Sequence, residues 1–357
     1  MQKREDRKGG TDMLVRVPDY YDRFRCLAGD CPHTCCEKWE VVIDEETACR
    51  YFEVPGPLGD KLRDAIQADE EGDFCFPLDG GRCPFLDGEN LCEIHKTLGE
   101  DATSVTCREH PRFTEDYGPF REVTLSASCP AANGLLLGSE APLTFLERET
   151  AEPPEEGDEW LKGLLPLRAR LLALLAERSW PLERRLADFL TLAQAAQTAL
   201  DTGCEEDLPA LAERWQPAGA GEAAGPSVLF PATLRLLAGL EALEADWRAL
   251  LAQAETAEPM PQPEALLERI AVYFAFRYIL KTVNDGDLLG RAKFCVFAVL
   301  AIGRLAAVCG LSEALRRFSC EIEHDDDALD ALLDALDADF SVEQFLAALG
   351  EQELCAP

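Results

Sequence analysis

Four cysteines lie within eleven residues near the start of the chain, and this spacing constrains the fold more than any other feature. The segment from Cys26 to Cys36 reads Cys-Leu-Ala-Gly-Asp-Cys-Pro-His-Thr-Cys-Cys. A loop this short cannot bury a hydrophobic core of its own, and its two adjacent cysteines are poorly placed to bridge each other. Gly29 and Pro32 permit the tight turns that wrapping an ion requires. We therefore expect several thiolates to turn inward on one metal or iron–sulfur centre.

The distribution of the 15 cysteines favours metal binding over disulfides. Residues 1–13 are charged and contain no apolar signal region, so we expect a cytoplasmic protein. Clustered cysteines in the cytosol are typical of metal or redox sites. Ten cysteines lie between Cys26 and Cys129. The other five fall in helical-looking sequence and are interpreted as small packing residues: Cys204, Cys295, Cys309, Cys320 and Cys355.

Eight cysteines are the candidate metal ligands. They are Cys26, Cys31, Cys35, Cys36, Cys83, Cys92, Cys107 and Cys129. Zinc sites usually carry paired Cys-x-x-Cys knuckles, and the absence of that spacing favours an iron–sulfur cluster, with zinc as the alternative metal. Eight thiols exceed the four that one cubane cluster needs, so either two centres exist or some thiols only support one. His33, inside the first loop, is a candidate ligand or a residue that orients one.

The rest of the sequence predicts a mainly α protein in two parts. Its 357 residues are enough for two domains. An irregular cysteine-rich metal or iron–sulfur module, residues 14–135, is expected to pack on a C-terminal helical domain, residues 159–350. A Pro- and Glu-rich segment, residues 150–158, is interpreted as the linker.

Helix signals are clearest in the second part of the chain. Apolar residues at helical spacing after Pro181 predict an amphipathic helix. The strongly apolar segment Leu288–Cys309 predicts a central buried helix. Closer to the N-terminus, Asp44 is predicted to cap the helix that follows it. Ser341 and Gln344 form a capping-box pattern.

The net charge of −33, from 67 acidic and 34 basic residues, narrows the choice of partners. It opposes binding to nucleic acid or to an anionic membrane surface through phosphate groups. No run of about 18 uncharged apolar residues predicts a membrane span. An acidic protein instead attracts basic partners. His324 precedes a run of aspartates and is expected at the surface.

The cysteine region also forms a pattern that is specific as a set. Its segments are Cys26-x4-Cys31-x3-Cys35-Cys36-x2-Trp39, Cys83-Pro-Phe-Leu…Leu-Cys92-x-Ile, Cys107-Arg-x-x-Pro-Arg112 and Ser128-Cys129-Pro130. This set resembles the flagellin lysine N-methylase family, and its part from Cys83 to Arg112 also resembles cysteine-cluster proteins described as zinc- or iron-chelating. The resemblance continues in Phe276-Arg277-Tyr278…Lys281 and Asp285-Gly286-Asp287-Leu288, so it extends over nearly the whole chain.

The resemblance implies transfer of a methyl group from S-adenosylmethionine to lysine side chains of flagellin. It also implies a required iron–sulfur cluster, which we expect to be of the 4Fe-4S type. No Gly-x-Gly-x-x-Gly loop of a Rossmann-type methylase is present after a predicted strand. The Cys-x3-Cys-x2-Cys of radical enzymes is absent as well. The site of the methyl donor is therefore unplaced, and the donor rests on the family resemblance alone.

Methyl transfer to lysine makes one chemical demand on the site. A lysine amine, with an unperturbed pKa of about 10.4, must lose its proton before it attacks a methyl group. The candidate proton acceptors lie in or beside the family-like helical segment: Tyr273, Tyr278, Asp285 and Asp287. The alternative is that the tyrosines are core residues and the aspartates are turn or cap residues. The rival functions are a non-catalytic iron–sulfur or zinc-binding protein and a redox carrier.

Overall fold

The computed structural model describes residues 13–37, 41–68, 72–216 and 229–351. The protein is 59% helical and 11% strand, which confirms the expected mainly α fold. Two residues that the sequence patterns singled out, Trp39 and Cys355, lie outside the described residues.

Helices and strands are numbered in chain order within the described ranges. The helices are α1 Glu45–Glu53, α2 Gly56–Ala65, α3 Glu93–Leu98, α4 Val105–Glu109, α5 Pro130–Leu137, α6 Leu161–Leu175, α7 Leu182–Asp201, α8 Leu208–Arg214, α9 Leu229–Gly239, α10 Trp247–Thr256, α11 Glu264–Tyr278, α12 Leu288–Cys309, α13 Leu311–Ile322, α14 Asp326–Asp339 and α15 Val342–Glu351. The strands are β1 Leu14–Pro18, β2 Val41–Ile43, β3 Gln67–Ala68, β4 Phe74–Phe76, β5 Arg112–Asp116, β6 Phe120–Leu125 and β7 Phe145–Glu149.

Two small sheets carry the N-terminal part of the protein. The larger has the strand order β5-β6-β1-β7. Its central pair, β1 and β6, is parallel, with Leu14 opposite Phe120, and the two outer pairings are antiparallel. The smaller sheet has the order β2-β4-β3 and is antiparallel throughout. The parallel pair places the end of β6, which leads into Cys129, beside the first strand of the chain.

Two separate hydrophobic clusters divide the buried residues. The small cluster lies between β2, β4, α1 and α2 and includes Tyr51, Phe76 and Phe85, with the Cys83 side chain inside it. The large cluster contains the helices from α6 onward and also takes in Tyr20 and Leu125 from the N-terminal part. The four-stranded sheet and α5 therefore share one core with the helices, whereas the cysteine loops around β2–β4 have a small core of their own.

Helix α12 forms the centre of the large cluster. It packs against α7, α10, α11, α13 and α14. In the described part of the chain it is the one helix long and apolar enough to cross a membrane, with a mean hydropathy of 2.0. Because 72% of that apolar stretch is buried inside the protein, α12 is explained as a core helix, and the expectation of a central buried helix at Leu288–Cys309 is confirmed.

The helix ends follow the local sequence signals. The Asp44 carboxylate accepts a hydrogen bond from the Thr47 backbone N–H at 2.9 Å and so caps α1, as predicted. At the start of α15, the Ser341 N–H donates to Gln344 Oε1 at 2.7 Å, and the Gln344 N–H donates to Ser341 Oγ at 3.4 Å. This reciprocal pair is the predicted capping box. Helix α7 begins directly after Pro181, as expected.

A buried ion pair joins the four-stranded sheet to the helices. Both nitrogens at the end of the Arg168 side chain, on α6, donate to the Glu122 carboxylate of β6 at 2.5 Å. The two side chains are only 6% and 3% exposed. The same guanidinium donates to the Phe276 carbonyl of α11 at 3.1 Å, so it connects three elements. Such a pair fixes geometry, because either charge left alone in the interior is strongly destabilising.

Replacing Arg168 by methionine should therefore lower the free energy of unfolding by about 3–5 kcal/mol, as measured by urea denaturation. The matched control is Lys162→Met, which removes an ion pair with Glu159 in which both side chains are more than three-quarters exposed. That loss should stay below about 1 kcal/mol. Equal losses in the two variants would contradict a structural role for the buried pair.

Candidate metal site beneath a buried polar network

The first cysteine loop lies directly against the second. The Cys83 backbone N–H donates to the Cys36 carbonyl at 2.8 Å. A Cβ atom added to Gly29 would sit 2.8 Å from the Glu89 carbonyl oxygen, so the two loops touch backbone to backbone at this point. Within the second loop, Leu86 pairs with Cys92, which gives the hairpin-like return expected from the Asp-Gly turn. The two loops, which carry four and two of the candidate cysteines, are therefore in direct contact through their backbones.

Cys107 is brought to the same surface by a shared cap. The Asp44 carboxylate that caps α1 also accepts a hydrogen bond from the Val105 N–H at the start of α4, at 2.9 Å. Ser104 caps α4 by accepting from the Cys107 N–H at 3.2 Å. One aspartate thus holds two helix N-termini together, and this fixes the short helix that carries Cys107.

Electrostatic interactions connect the second loop with Cys107 and with the first loop. Burial raises the pKa of the Cys83 thiol to about 12, with further contributions from Cys36, Cys107 and Cys92. Burial likewise raises the pKa of Cys107 to about 11, and Cys36 and Cys92 add to it. The Cys35 thiol donates a hydrogen bond to Cys36, which lowers the Cys36 pKa below its usual value. Cys36 is therefore the thiol of this group closest to ionisation at neutral pH.

Cys129 completes the set from the side of the helical core. Burial raises the pKa of its thiol, the backbone N–H groups of Ala132 and Ala131 oppose that shift, and nearby Cys31 and Cys26 raise the pKa further. Cys129 directly precedes α5, and its sulfur accepts hydrogen bonds from the first turn of that helix. The Cys92 sulfur is placed in the same way at the start of α3. Hydrogen bonds to sulfur favour the thiolate that a metal binds.

The donor set has the chemistry of an iron–sulfur or zinc site, although it does not form a closed coordination group. All eight candidate cysteines are free thiols, and they are exposed, half-buried or buried rather than paired. Among the described residues, no three His, Cys, Asp or Glu side chains are close enough together to hold a metal ion. The structure brings the cysteine loops into contact but shows no closed thiol cluster among the described residues, and the bound metal stays a prediction.

The buried Glu323 carboxylate lies close to the segment that leads to Cys129. Both tyrosines predicted as proton acceptors contact it. The Tyr278 hydroxyl donates to Glu323 at 3.0 Å, and the Tyr273 hydroxyl lies 3.2 Å from the same carboxylate. Ser319 Oγ donates to it at 2.5 Å. Arg277 Nε is 3.0 Å away and supplies the opposite charge. We call these five side chains the Glu323 network; all are at most 5% exposed.

The network restricts what the two tyrosines can do. Burial raises the pKa of Tyr273 and of Tyr278 well above the usual value for a phenol. Both hydroxyl protons point at Glu323, and neither side chain is more than 2% exposed. In this arrangement the tyrosines match the alternative reading as core residues. Their role as proton acceptors stays a prediction that requires an opening of the site.

Asp285 and Asp287 lie in the turn before α12. Asp287 caps that helix by accepting from the Gly290 N–H at 2.7 Å. Asp285 receives two hydrogen bonds from Arg291, each at 2.8 Å. These contacts correspond to the turn and cap roles that the sequence left open beside the catalytic reading. Asp285 and Asp287 are therefore not members of the Glu323 network, which contains Tyr273 and Tyr278.

His324 is partly buried rather than fully at the surface, which corrects that expectation. Its Nε2 atom lies 2.8 Å from Ser126 Oγ and 2.8 Å from Ser128 Oγ, on the segment that leads to Cys129. Its ring packs against Phe113, with centroids 5.1 Å apart. Burial, followed by the Arg277 charge, lowers the His324 pKa to about 4. Its partner Ser126 is 198 positions away along the chain, and no local sequence signal pointed to it.

Substituting alanine for Gly29 should separate the two cysteine loops. The added methyl group meets the Glu89 carbonyl, and overpacking of this kind costs about 1–3 kcal/mol. Amide hydrogen exchange in residues 26–36 and 87–91 should become about tenfold faster. The control is Gly88→Ala, in the second loop next to Glu89. A Cβ atom at Gly88 meets no atom within 4 Å, so this substitution should leave exchange unchanged. Unchanged exchange in Gly29→Ala would rule out the close contact.

His324 should make the protein sensitive to acid. Its pKa is about 4 in the folded protein, against 6.5 for an unperturbed histidine. The unfolded chain therefore binds more protons between these values. The contribution of neutral His324 to stability is complete above about pH 6.5 and is lost as the pH falls toward 4.

In urea denaturation across this pH range, the free energy of unfolding should fall less steeply for His324→Gln than for the unchanged protein. His95→Gln, on the exposed side of α3, is the control and should keep the original slope. An unaltered slope in His324→Gln would show that this histidine is not responsible for the acid sensitivity.

Comparison with known proteins gives a partial match to one group. The chain is 28% identical over 146 residues to a lysine-N-methylase of Salmonella typhimurium, covering 38% of this chain and 36% of that protein. It is 27% identical over 145 residues to the flagellar biosynthetic protein FliU of Salmonella muenchen, covering 39% of this chain and 86% of FliU. A lysine-N-methylase of Salmonella choleraesuis matches at 27% over 146 residues.

The matches to the two lysine-N-methylases cover only part of each protein. The chain spans about a third of the length of the two lysine-N-methylases. No family profile matches the chain. No solved structure matches it either. The regional similarity nevertheless agrees with the resemblance carried by the cysteine spacing. Over about 38% of its length, this chain is similar to proteins named lysine-N-methylase and to FliU.

Proposed function

We propose that this protein is a protein-lysine N-methyltransferase. The observation that carries the proposal is the similarity to two lysine-N-methylases, at 28% and 27% identity over 146 residues. We further propose that the methyl donor is S-adenosylmethionine and that the acceptor is a lysine side chain of flagellin. Similarity to a protein named for flagellar biosynthesis supports that acceptor.

The eight clustered thiols are the proposed ligands of an iron–sulfur cluster, with zinc as the alternative. Soft thiolates suit both metals, and the lack of Cys-x-x-Cys knuckles favours iron and sulfide. When bound, a 4Fe-4S cluster supplies a redox-active centre whose potential depends on hydrogen bonds to its sulfur ligands. The backbone N–H groups that already point at Cys92 and Cys129 would provide such bonds.

Methyl transfer sets a clear task for the protein. The neutral lysine nitrogen attacks the methyl carbon, the carbon–sulfur bond of the donor breaks, and S-adenosylhomocysteine leaves together with one proton from the lysine. The protein must exclude water and accept that proton. The candidate acceptors stay those expected from the sequence: Tyr273, Tyr278, Asp285 and Asp287. Of these, the two aspartates are the more exposed, because Tyr273 and Tyr278 are enclosed in the Glu323 network.

The charge of the protein fits a lysine-bearing partner. A net charge of −33 steers basic surfaces toward it and repels nucleic acid. Flagellin is made in the cytoplasm, so a cytoplasmic location is part of the proposal. The burial of α12 inside the large hydrophobic cluster agrees with a protein that acts away from the membrane.

A non-catalytic iron–sulfur or zinc-binding protein is the second candidate function. The specific observation in its favour is that both candidate tyrosines are fully enclosed, with their hydroxyl protons directed at Glu323. A protein of this kind would bind metal through the same thiols and transfer no methyl group.

Two measurements on anaerobically purified protein test the proposal. Analysis for iron, acid-labile sulfide and zinc identifies the metal. Incubation with S-adenosylmethionine and flagellin, followed by peptide mass spectrometry, should reveal lysines that have gained a methyl group. Cys36→Ser should reduce both metal content and methylation by about tenfold or more. Cys49→Ser, on the exposed side of α1, should reduce neither.

The outcomes separate the two candidate functions. Bound metal without any methylated lysine supports the non-catalytic protein. Methylation that persists after the loss of metal in Cys36→Ser shows that the thiol cluster is not part of the reaction. Zinc without sulfide replaces the iron–sulfur assignment.

A further inference from the structure

A groove of about 380 Å³ opens between the first cysteine loop, α5 and the turn from α12 to α13. Pro32 and His33 form one wall, Pro130 lies on a second, and Cys309, Leu311 and Glu313 lie on the third. Its volume falls in the range of about 300–1,000 Å³ typical of small-molecule sites.

The groove borders the proposed metal ligands. His33 lies between Cys31 and Cys35 in the chain, and Pro130 directly follows Cys129. The Cys129 thiol is itself close enough to Cys31 for Cys31 to contribute to raising its pKa. A molecule in the groove would therefore lie beside the end of the thiol cluster that faces the helical core.

Hydrogen bonds hold the walls of the groove in place. Asn133 Nδ2 donates to the Ser312 carbonyl at 3.0 Å, and Ser312 Oγ donates to Asn133 Oδ1 at 2.8 Å. This pair locks α5 to the start of α13, and Asn133 is only 1% exposed. On the opposite side, His33 Nε2 lies 3.7 Å from Glu313 Oε2. Walls fixed in this way reduce the entropy that a ligand loses on binding.

The lining offers both signs of charge next to apolar surface. The Glu313 carboxylate lies 2.8 Å from the Arg316 guanidinium, and both side chains line the groove. Arg316 is only 5% exposed and also donates to Glu244 at 3.0 Å, so Glu313 is the charged group that a ligand can reach. Pro32, Pro130 and Leu311 supply apolar contacts. A ligand with an ammonium group and a broad apolar body matches this combination. A lysine side chain carries its charge on a thin stem and would leave most of the groove of about 380 Å³ unfilled.

We propose that this groove is the binding site for S-adenosylmethionine. The inference rests on the proposed methyltransferase function, and it gives the donor the place that no sequence motif provides. The ammonium group of the donor meets the Glu313 carboxylate, and its nucleoside meets the proline and leucine surfaces.

Protection of Cys309 from alkylation tests this site without any substitution. The Cys309 thiol lines the groove and is half-buried. Saturating S-adenosylhomocysteine, the unreactive product of the donor, should slow its reaction with iodoacetamide by fivefold or more, read by peptide mass spectrometry. Cys204 is half-buried like Cys309 but lies outside the groove, so it should react at an unchanged rate. Equal rates at Cys309 with and without the ligand overturn the proposal.

A substitution in the groove provides the second measurement. Leu311→Trp fills part of the space and should weaken S-adenosylhomocysteine binding at least tenfold in equilibrium dialysis. Leu146→Trp, at a 44% exposed position on β7, controls for the added indole and should bind as the unchanged protein does. Thermal unfolding of both variants identifies any loss of folding.

The results distinguish failure of the site from failure of the function. If the unchanged protein binds the product and methylates flagellin while Leu311→Trp binds equally well, the groove assignment fails and the methyltransferase stands. If the unchanged protein neither binds the product nor methylates lysine, both fail. Protection of Cys309 by a lysine-containing flagellin peptide, but not by S-adenosylhomocysteine, assigns the groove to the acceptor and overturns the proposal.

Discussion

The position of Cys129 depends on one buried carboxylate. A charged group in the interior is tolerated only when it is paired and fully hydrogen-bonded. Glu323 meets this condition through Arg277, Ser319 and two tyrosine hydroxyls. The Tyr273 hydroxyl also lies 3.4 Å from the Ala127 N–H, so the network holds the backbone that leads to Cys129. The last of the eight thiols is therefore placed by α11 and α13 rather than by its own loop.

The thiols themselves are held together by ordinary backbone interactions. The Cys83 N–H on the Cys36 carbonyl, the close contact at Gly29 and the shared cap at Asp44 all act without metal. Burial keeps most of these thiols protonated, and neutral thiols do not attract one another to coordinating distance. Metal binding would release protons and supply that attraction. The fold thus provides the neighbourhood, and the final ligand geometry would come from the metal.

The candidate functional surfaces meet where the two hydrophobic clusters adjoin. The small cluster supports the loops that carry Cys83 and Cys92, whereas the large cluster supports Cys129 and the α12–α13 turn. The groove is lined by the first cysteine loop, α5 and the α12–α13 turn. Sites between separately packed parts are common, because neither part fills the space completely. His33 and Glu313, 3.7 Å apart, mark the contact between the two sides.

The sequence alone determined the features that depend on neighbours in the chain. The Asp44 cap, the Ser341–Gln344 capping box and the apolar α12 follow from hydrogen bonds or periodicity within a few turns, and all were predicted. The contact between the two cysteine loops and the partial burial of His324 were decided by tertiary structure. The partners of His324 are nearly 200 positions away, and a polar residue reveals its burial only when the distant groups that hydrogen-bond it are known.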